Sequence, residues 1–127
     1  YPNILFAKDG EIYNFHGKKV MAIGGAYSVD KYYRISHKMP WFDTEQPDDR
    51  IMNYVEQQLE KEGWSIDIIL SHTVPIEAEP TWAFIPGLNQ RIVDKSTEKW
   101  LQEIYDNLEI SEWYAGHYHV DSEENNV

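Results

Sequence analysis

The chain contains no cysteine. Disulfides, thiolate metal sites and cysteine nucleophiles are excluded together. Any transition-metal site must draw on histidine, aspartate, glutamate or asparagine, a donor set that suits Mn, Fe or Zn. The same absence fits a reducing compartment, so a cytoplasmic location is expected. Positive charge is scarce: 11 Lys and Arg stand against 22 Asp and Glu, a formal net charge of −11. A surface this acidic repels phosphate backbones, so no nucleic-acid surface is expected. An anionic substrate would need local positive charge, and bound divalent cations are one source. Apolar runs are short. None reaches the roughly 18 residues of a membrane span, and no basic-then-apolar leader is visible. The chain opens on Tyr1-Pro2 without an initiator methionine, so sequence upstream is expected.

What is present fits one modest domain: 127 residues with ordinary apolar and charged fractions. Asn3 to Lys8 reads as a strand, Asp9-Gly10 as a hairpin turn and Glu11 to His16 as the return strand. Tyr13 and Phe15 then share one face. Gly17-Lys18 makes a second turn into a strand from Lys19 to Ile23, which completes a three-stranded meander. His16 at the hairpin tip and His37 in a polar stretch read as solvent-exposed.

Paired glycines, Gly24-Gly25, follow that strand and permit close approach to a ligand. Asp30, Lys31 and Arg34 lie just beyond. Pro47 to Glu62 reads as an amphipathic helix. Ile51, Met52, Val55 and Leu59 form its apolar face, Asp48 and Asp49 sit at its start, and Gly63 ends it. Ile66 to Ser71 is a nearly continuous apolar strand, the pattern of a strand covered on both faces. It ends on His72. A long irregular segment, 73–94, holds Trp82 and Phe84, which either cover a site or plug the core. Ser96 to Leu108 is a second amphipathic helix with Ser96 as its cap. Glu112 to Ala115 is a final strand, and an acidic tail from Asp121 is expected to fray.

Two of these strands deliver histidine at their carboxyl ends. After the last strand come Gly116, His117, Tyr118 and His119. Residues i and i+2 of an extended segment face one side. If that geometry persists past Gly116, both imidazoles point at one spot. Neutral imidazole is the commonest metal ligand. Two strands that each end in histidine look like a site at the carboxyl edge of an α/β sheet.

The runs Gly24 to Arg34, Asp67 to Pro75 and Trp113 to Asp121, in this order and spacing, resemble the calcineurin-like metallophosphoesterase family. Its bacterial and phage phosphoesterase-like members are the nearest match. The resemblance covers most of this chain and about the second half of the family's catalytic domain. The family's earlier motifs, Asp-x-His, Gly-Asp and Gly-Asn-His, do not occur.

The resemblance implies an α/β (α+β) fold, part of a sandwich of two mixed sheets flanked by helices. Residues 1–127 would be the carboxyl-terminal portion of one such domain, with its amino-terminal half missing. It implies a metal-dependent phosphoesterase, a hydrolase that cleaves a phosphomonoester or diester by a metal-bridging hydroxide. His72 and His117 would be ligands of one metal and His119 of the other, and Arg34 would help bind the phosphate. The complete domain would hold two divalent ions (Mn, Fe or Zn). At most one is expected in this chain, because two close ions need a bridging anion and the motifs that supply it are absent. The isolated chain is expected to be inactive, and a half-sandwich is expected to self-associate through bare sheet edges or to be marginally stable.

Two other readings stand beside this one. The chain is a non-catalytic domain whose three histidines hold a single ion or none. Or it is a mononuclear hydrolytic zinc site, with Asp30 as the one candidate base.

Overall fold

The computed structural model describes residues 2–27, 31–40, 44–84, 91, 93–123 and 127; of Tyr33 it describes the backbone alone. Asp30, Trp41 and Phe42 lie outside the described residues.

Four strands form one mixed sheet in the order β1-β2-β3-β4. β1 (Ile12–Phe15) and β2 (Lys18–Ile23) make an antiparallel hairpin. β3 (Ser65–Ser71) lies parallel to β2, and β4 (Glu109–Ala115) parallel to β3. α1 (Lys31–Ser36) and α2 (Asp49–Lys61) connect β2 to β3, and α3 (Ser96–Asn107) connects β3 to β4. Parallel crossovers are right-handed in about 98% of cases. Two that step the same way across a sheet therefore set both helices on the same face. Val55 and Leu59 of α2 and Leu101 and Ile104 of α3 accordingly share one core with Met21, Ile69 and Trp113. Those last three lie side by side in register across β2, β3 and β4.

The next register row shows what this topology leaves open. Ala22, Leu70 and Tyr114 are neighbours on the opposite face, and Leu70 and Tyr114 are 43% and 55% exposed. The apolar run of β3 suggests cover on both faces; among the described residues α2 and α3 pack on the Met21–Ile69–Trp113 face. Val20 lies on the opposite face with Leu70 and Tyr114 and is only 4% exposed, so the exposure is confined to the Leu70–Tyr114 end of that face.

The amino terminus also departs from expectation. Residues 4–8 are not a strand, and Leu5 is 94% exposed. The segment has no partner strand among the described residues, and a strand without a ladder leaves its backbone groups unpaired. Asp9-Gly10 still turns the chain, with the Gly10 amide donating to the Ala22 carbonyl at 2.9 Å. The meander is thus a two-stranded hairpin whose turn is His16-Gly17 rather than Gly17-Lys18. His16 and His37 are exposed. Tyr13 and Phe15 do share a face and stack with ring centres 6.4 Å apart.

Helix ends follow local chemistry. Asp48 caps α2 by accepting from the Ile51 amide at 2.8 Å. Gly63 just beyond it has φ +64°. Ser96 is the first residue of α3 rather than its cap. The N-cap position is Lys95, which makes no side-chain cap bond, and Asp94 just before it accepts from the Ser96 amide at 2.9 Å. Two hydrogen bonds from Ser96, backbone and side chain, hold the Asp94 carboxyl below its ordinary range. At the end of the tail, Val127 packs against the core, while residues 121–123 are exposed and carry no regular structure.

Candidate metal centre

β2, β3 and β4 end level with one another, Ile23 beside Ser71 and Ser71 beside Ala115. The ladder then runs one step further. The His72 amide donates to the Ile23 carbonyl at 3.1 Å, and the Gly116 amide donates to the His72 carbonyl at 3.0 Å. The glycine pair, His72 and His117 therefore emerge together at the carboxyl edge of the parallel strands, where α/β sheets place ligands.

His72 Nε2 lies 3.0 Å from His117 Nδ1. The rings meet edge to face with centres 4.8 Å apart. In that contact one ring donates and the other accepts, so at least one is neutral. Burial, then the nearby His72 and His119 rings, pushes the His117 pKa below its ordinary value, while Glu45 opposes the shift. Neutral imidazole is the metal-binding form. The pair has the spacing of two ligands of one ion. Two nitrogens at about 2.0–2.1 Å from a tetrahedral zinc lie roughly 3.3 Å apart, close to the separation found.

His119 does not join them as a third ligand on one spot. Strand geometry stops at Ala115. His117 and His119 both take left-handed φ, 69° and 58°, and the Tyr118 amide folds back to the Gly116 carbonyl at 2.8 Å. The alternation expected of an extended His-x-His is lost, and His119 is exposed. Among the described residues no three His, Asp or Glu side chains converge as one group.

The glycine loop packs against its own chain. Gly25 has φ +92°, and a Cβ there would sit 2.6 Å from the Glu45 carbonyl oxygen. That carbonyl accepts from the Ala26 amide at 3.1 Å. The room that the glycine provides is filled by residues 45–47. Gly116 is less crowded, since its nearest neighbour to an added Cβ is the His72 carbonyl at 3.9 Å. Arg34 lies on α1 just past the glycine loop, with Nη1 donating to the Pro40 carbonyl at 3.3 Å.

A buried polar chain beneath the histidines has no counterpart in sequence reasoning. Thr73 Oγ1 lies 3.0 Å from Glu98 Oε1 and 3.1 Å from the Tyr118 hydroxyl. That hydroxyl lies 3.3 Å from Glu79 Oε2, and Lys95 Nζ holds both Glu79 oxygens at 3.1 Å. Phe84 stacks on Tyr118 with ring centres 5.9 Å apart, while Trp82 is exposed. The irregular segment thus contributes one aromatic to the support of the histidine turn. Glu45 and Glu98 carry no local sequence signal, because both act across long stretches of chain.

No helix among the described residues is long and apolar enough to cross a membrane. Comparison with protein-family models, curated proteins and solved structures finds no match.

Proposed function

We propose that this chain is the carboxyl-terminal part of a calcineurin-like, metal-dependent phosphoesterase domain. The observation that carries the reading is the meeting of His72 and His117 at 3.0 Å, from the ends of adjacent parallel strands. Position and chemistry agree there: two imidazoles, one with a depressed pKa, stand at a strand-end edge. His72 and His117 would hold one divalent ion, Mn, Fe or Zn. His119, on the same turn, is free to serve a second ion whose remaining ligands come from upstream sequence. Bound divalent ions there would polarise a phosphoryl oxygen and offset its charge.

The exposed apolar end of the sheet face opposite α2 and α3 supports the same reading. Leu70 and Tyr114 stand where a second sheet would pack to complete the sandwich. A chain of net charge −11 also needs cations at any site that takes a phosphoester. Arg34, on the helix that follows the glycine loop in sequence, would orient the phosphate through its planar fork.

The test is hydrolysis of p-nitrophenyl phosphate and bis(p-nitrophenyl) phosphate with Mn(II). It compares this chain with the same chain preceded by any upstream sequence its gene encodes. The reading predicts little or no turnover by the chain alone and metal-dependent turnover by the longer form. Turnover should fall on His117→Ala, and Arg34→Ala should raise KM. A longer form that binds metal and turns over neither ester would favour the non-catalytic alternative.

A further inference from the structure

The polar chain under the histidine turn has more contacts than hydroxyl protons. Glu98, Thr73, Tyr118 and Glu79 meet in three successive oxygen–oxygen contacts of 3.0, 3.1 and 3.3 Å. Thr73 and Tyr118 bring one hydroxyl proton each. Glu79 is the anion of the chain, because Lys95 grips both its oxygens. If Glu98 were ionised as well, one contact would set two lone pairs against each other inside the protein. Thr73 and Glu98 are both buried, and Glu98 Oε2 has no partner among the described residues. A buried carboxylate with one oxygen unpaired is costly, whereas a neutral acid supplies the missing proton. The chain then closes in one direction, from Glu98 to Thr73, to Tyr118, to Glu79.

We propose that Thr73, Tyr118 and a neutral Glu98 form a proton-ordered tie that positions the histidine pair. The placement is specific. Thr73 directly follows His72, and Tyr118 lies between His117 and His119. The hydroxyl contact between them joins the two turns whose histidines meet. These are positioning residues, since none of them is one of the proposed ligands. The role rests on the reading that His72 and His117 are ligands, and it concerns what holds them at ligand spacing. Groups that orient ligating histidines usually change metal affinity by about 10–100-fold when removed.

The experiment uses this chain with four substitutions. Tyr118→Phe removes the hydroxyl and keeps the ring on Phe84. Thr73→Val removes a hydroxyl at nearly constant shape, Thr73→Ser restores it, and Glu98→Gln mimics the neutral acid. Three quantities are read: Zn(II) affinity by chelator competition, the imidazole 15N signals of metal-free His72 and His117, and the infrared C=O stretch of a protonated carboxyl. Tyr118→Phe and Thr73→Val should each weaken Zn(II) about tenfold and shift both imidazole signals. Thr73→Ser and Glu98→Gln should stay near the parent. The protonated-carboxyl band should be present at neutral pH and vanish in Glu98→Gln.

Unchanged imidazole signals in Tyr118→Phe would overturn the tie, and a missing carboxyl band would overturn the neutral Glu98. If Tyr118→Phe fails to fold, the contrast between Thr73→Val and Thr73→Ser decides. A parent chain that takes no Zn(II) would refute the metal site itself. The metal-free imidazole signals still judge the tie in that case, so the two failures are distinguishable.

Discussion

His72 Nε2 and His117 Nδ1 stand 3.0 Å apart although 45 positions separate them in the chain. The relationship is set by the backbone before any side chain acts. β3 and β4 run parallel and end in register at Ser71 and Ala115. The ladder continues through the Gly116 amide to the His72 carbonyl, and the two rings emerge beside each other.

Neighbouring residues on β3 should respond unequally to substitution. Ile69 is fully buried under the helices, and Leu70 is 43% exposed on the opposite face. Ile69→Ala should cost about 2–5 kcal/mol. Leu70→Ser should cost less than about 1 kcal/mol. Denaturant unfolding of the two variants checks this. An equal loss would mean that the apolar face is covered in solution, by another copy or by upstream sequence.

The glycines at the two turns should differ in the same way. Gly25→Ala forces a positive φ on a residue with Cβ and drives that atom against the Glu45 carbonyl. The expected cost is about 1–3 kcal/mol. Gly116→Ala meets only ordinary contact at 3.9 Å and should be nearly neutral. Thermal unfolding of both variants decides, and equal melting temperatures would contradict the packing of residues 45–47 on the glycine loop.

Glu98 should make the protein more sensitive to alkali than to acid. Burial raises its carboxyl pKa above the ordinary 4.5. The folded state therefore binds a proton that the unfolded state releases first. That contribution is fully present below pH 4.5 and is lost as pH rises through the folded pKa. Glu98→Gln removes the penalty of ionising a buried acid. It should be more stable than the parent at alkaline pH, by about 1 kcal/mol or roughly 4 °C in Tm. The advantage should vanish near pH 4. A constant difference at every pH would contradict the assignment.

Elements with strong periodicity were legible in the sequence. α2 and α3 follow from Ile51, Val55 and Leu59 and from Leu101, Ile104 and Leu108, and β3 and β4 follow from their apolar runs. The histidines at the strand ends were legible too, because strand ends and histidine are both local features. The rest depended on contacts between distant residues. Leu5 and Phe6 read as a strand, but a strand exists only where a partner offers a ladder. Covering both faces of β3 was inferred from its composition, while crossover handedness put both helices on one side. The left-handed turns at His117 and His119 carry no marker in residue type, so the spread of the His-x-His pair could not be read in advance. Glu45, Thr73, Glu98 and Tyr118 join the site only through folding.

The proposed function stands or falls on whether His72 and His117 hold one ion. The most direct test is titration calorimetry with Zn(II) and Mn(II), backed by elemental analysis, on this chain and on four variants. His72→Ala and His117→Ala should each weaken binding by at least about 100-fold, beyond what loss of a supporting group costs. His16→Ala and His37→Ala should leave it unchanged. One ion per chain is expected. No ion, or one indifferent to both His72→Ala and His117→Ala, would contradict it.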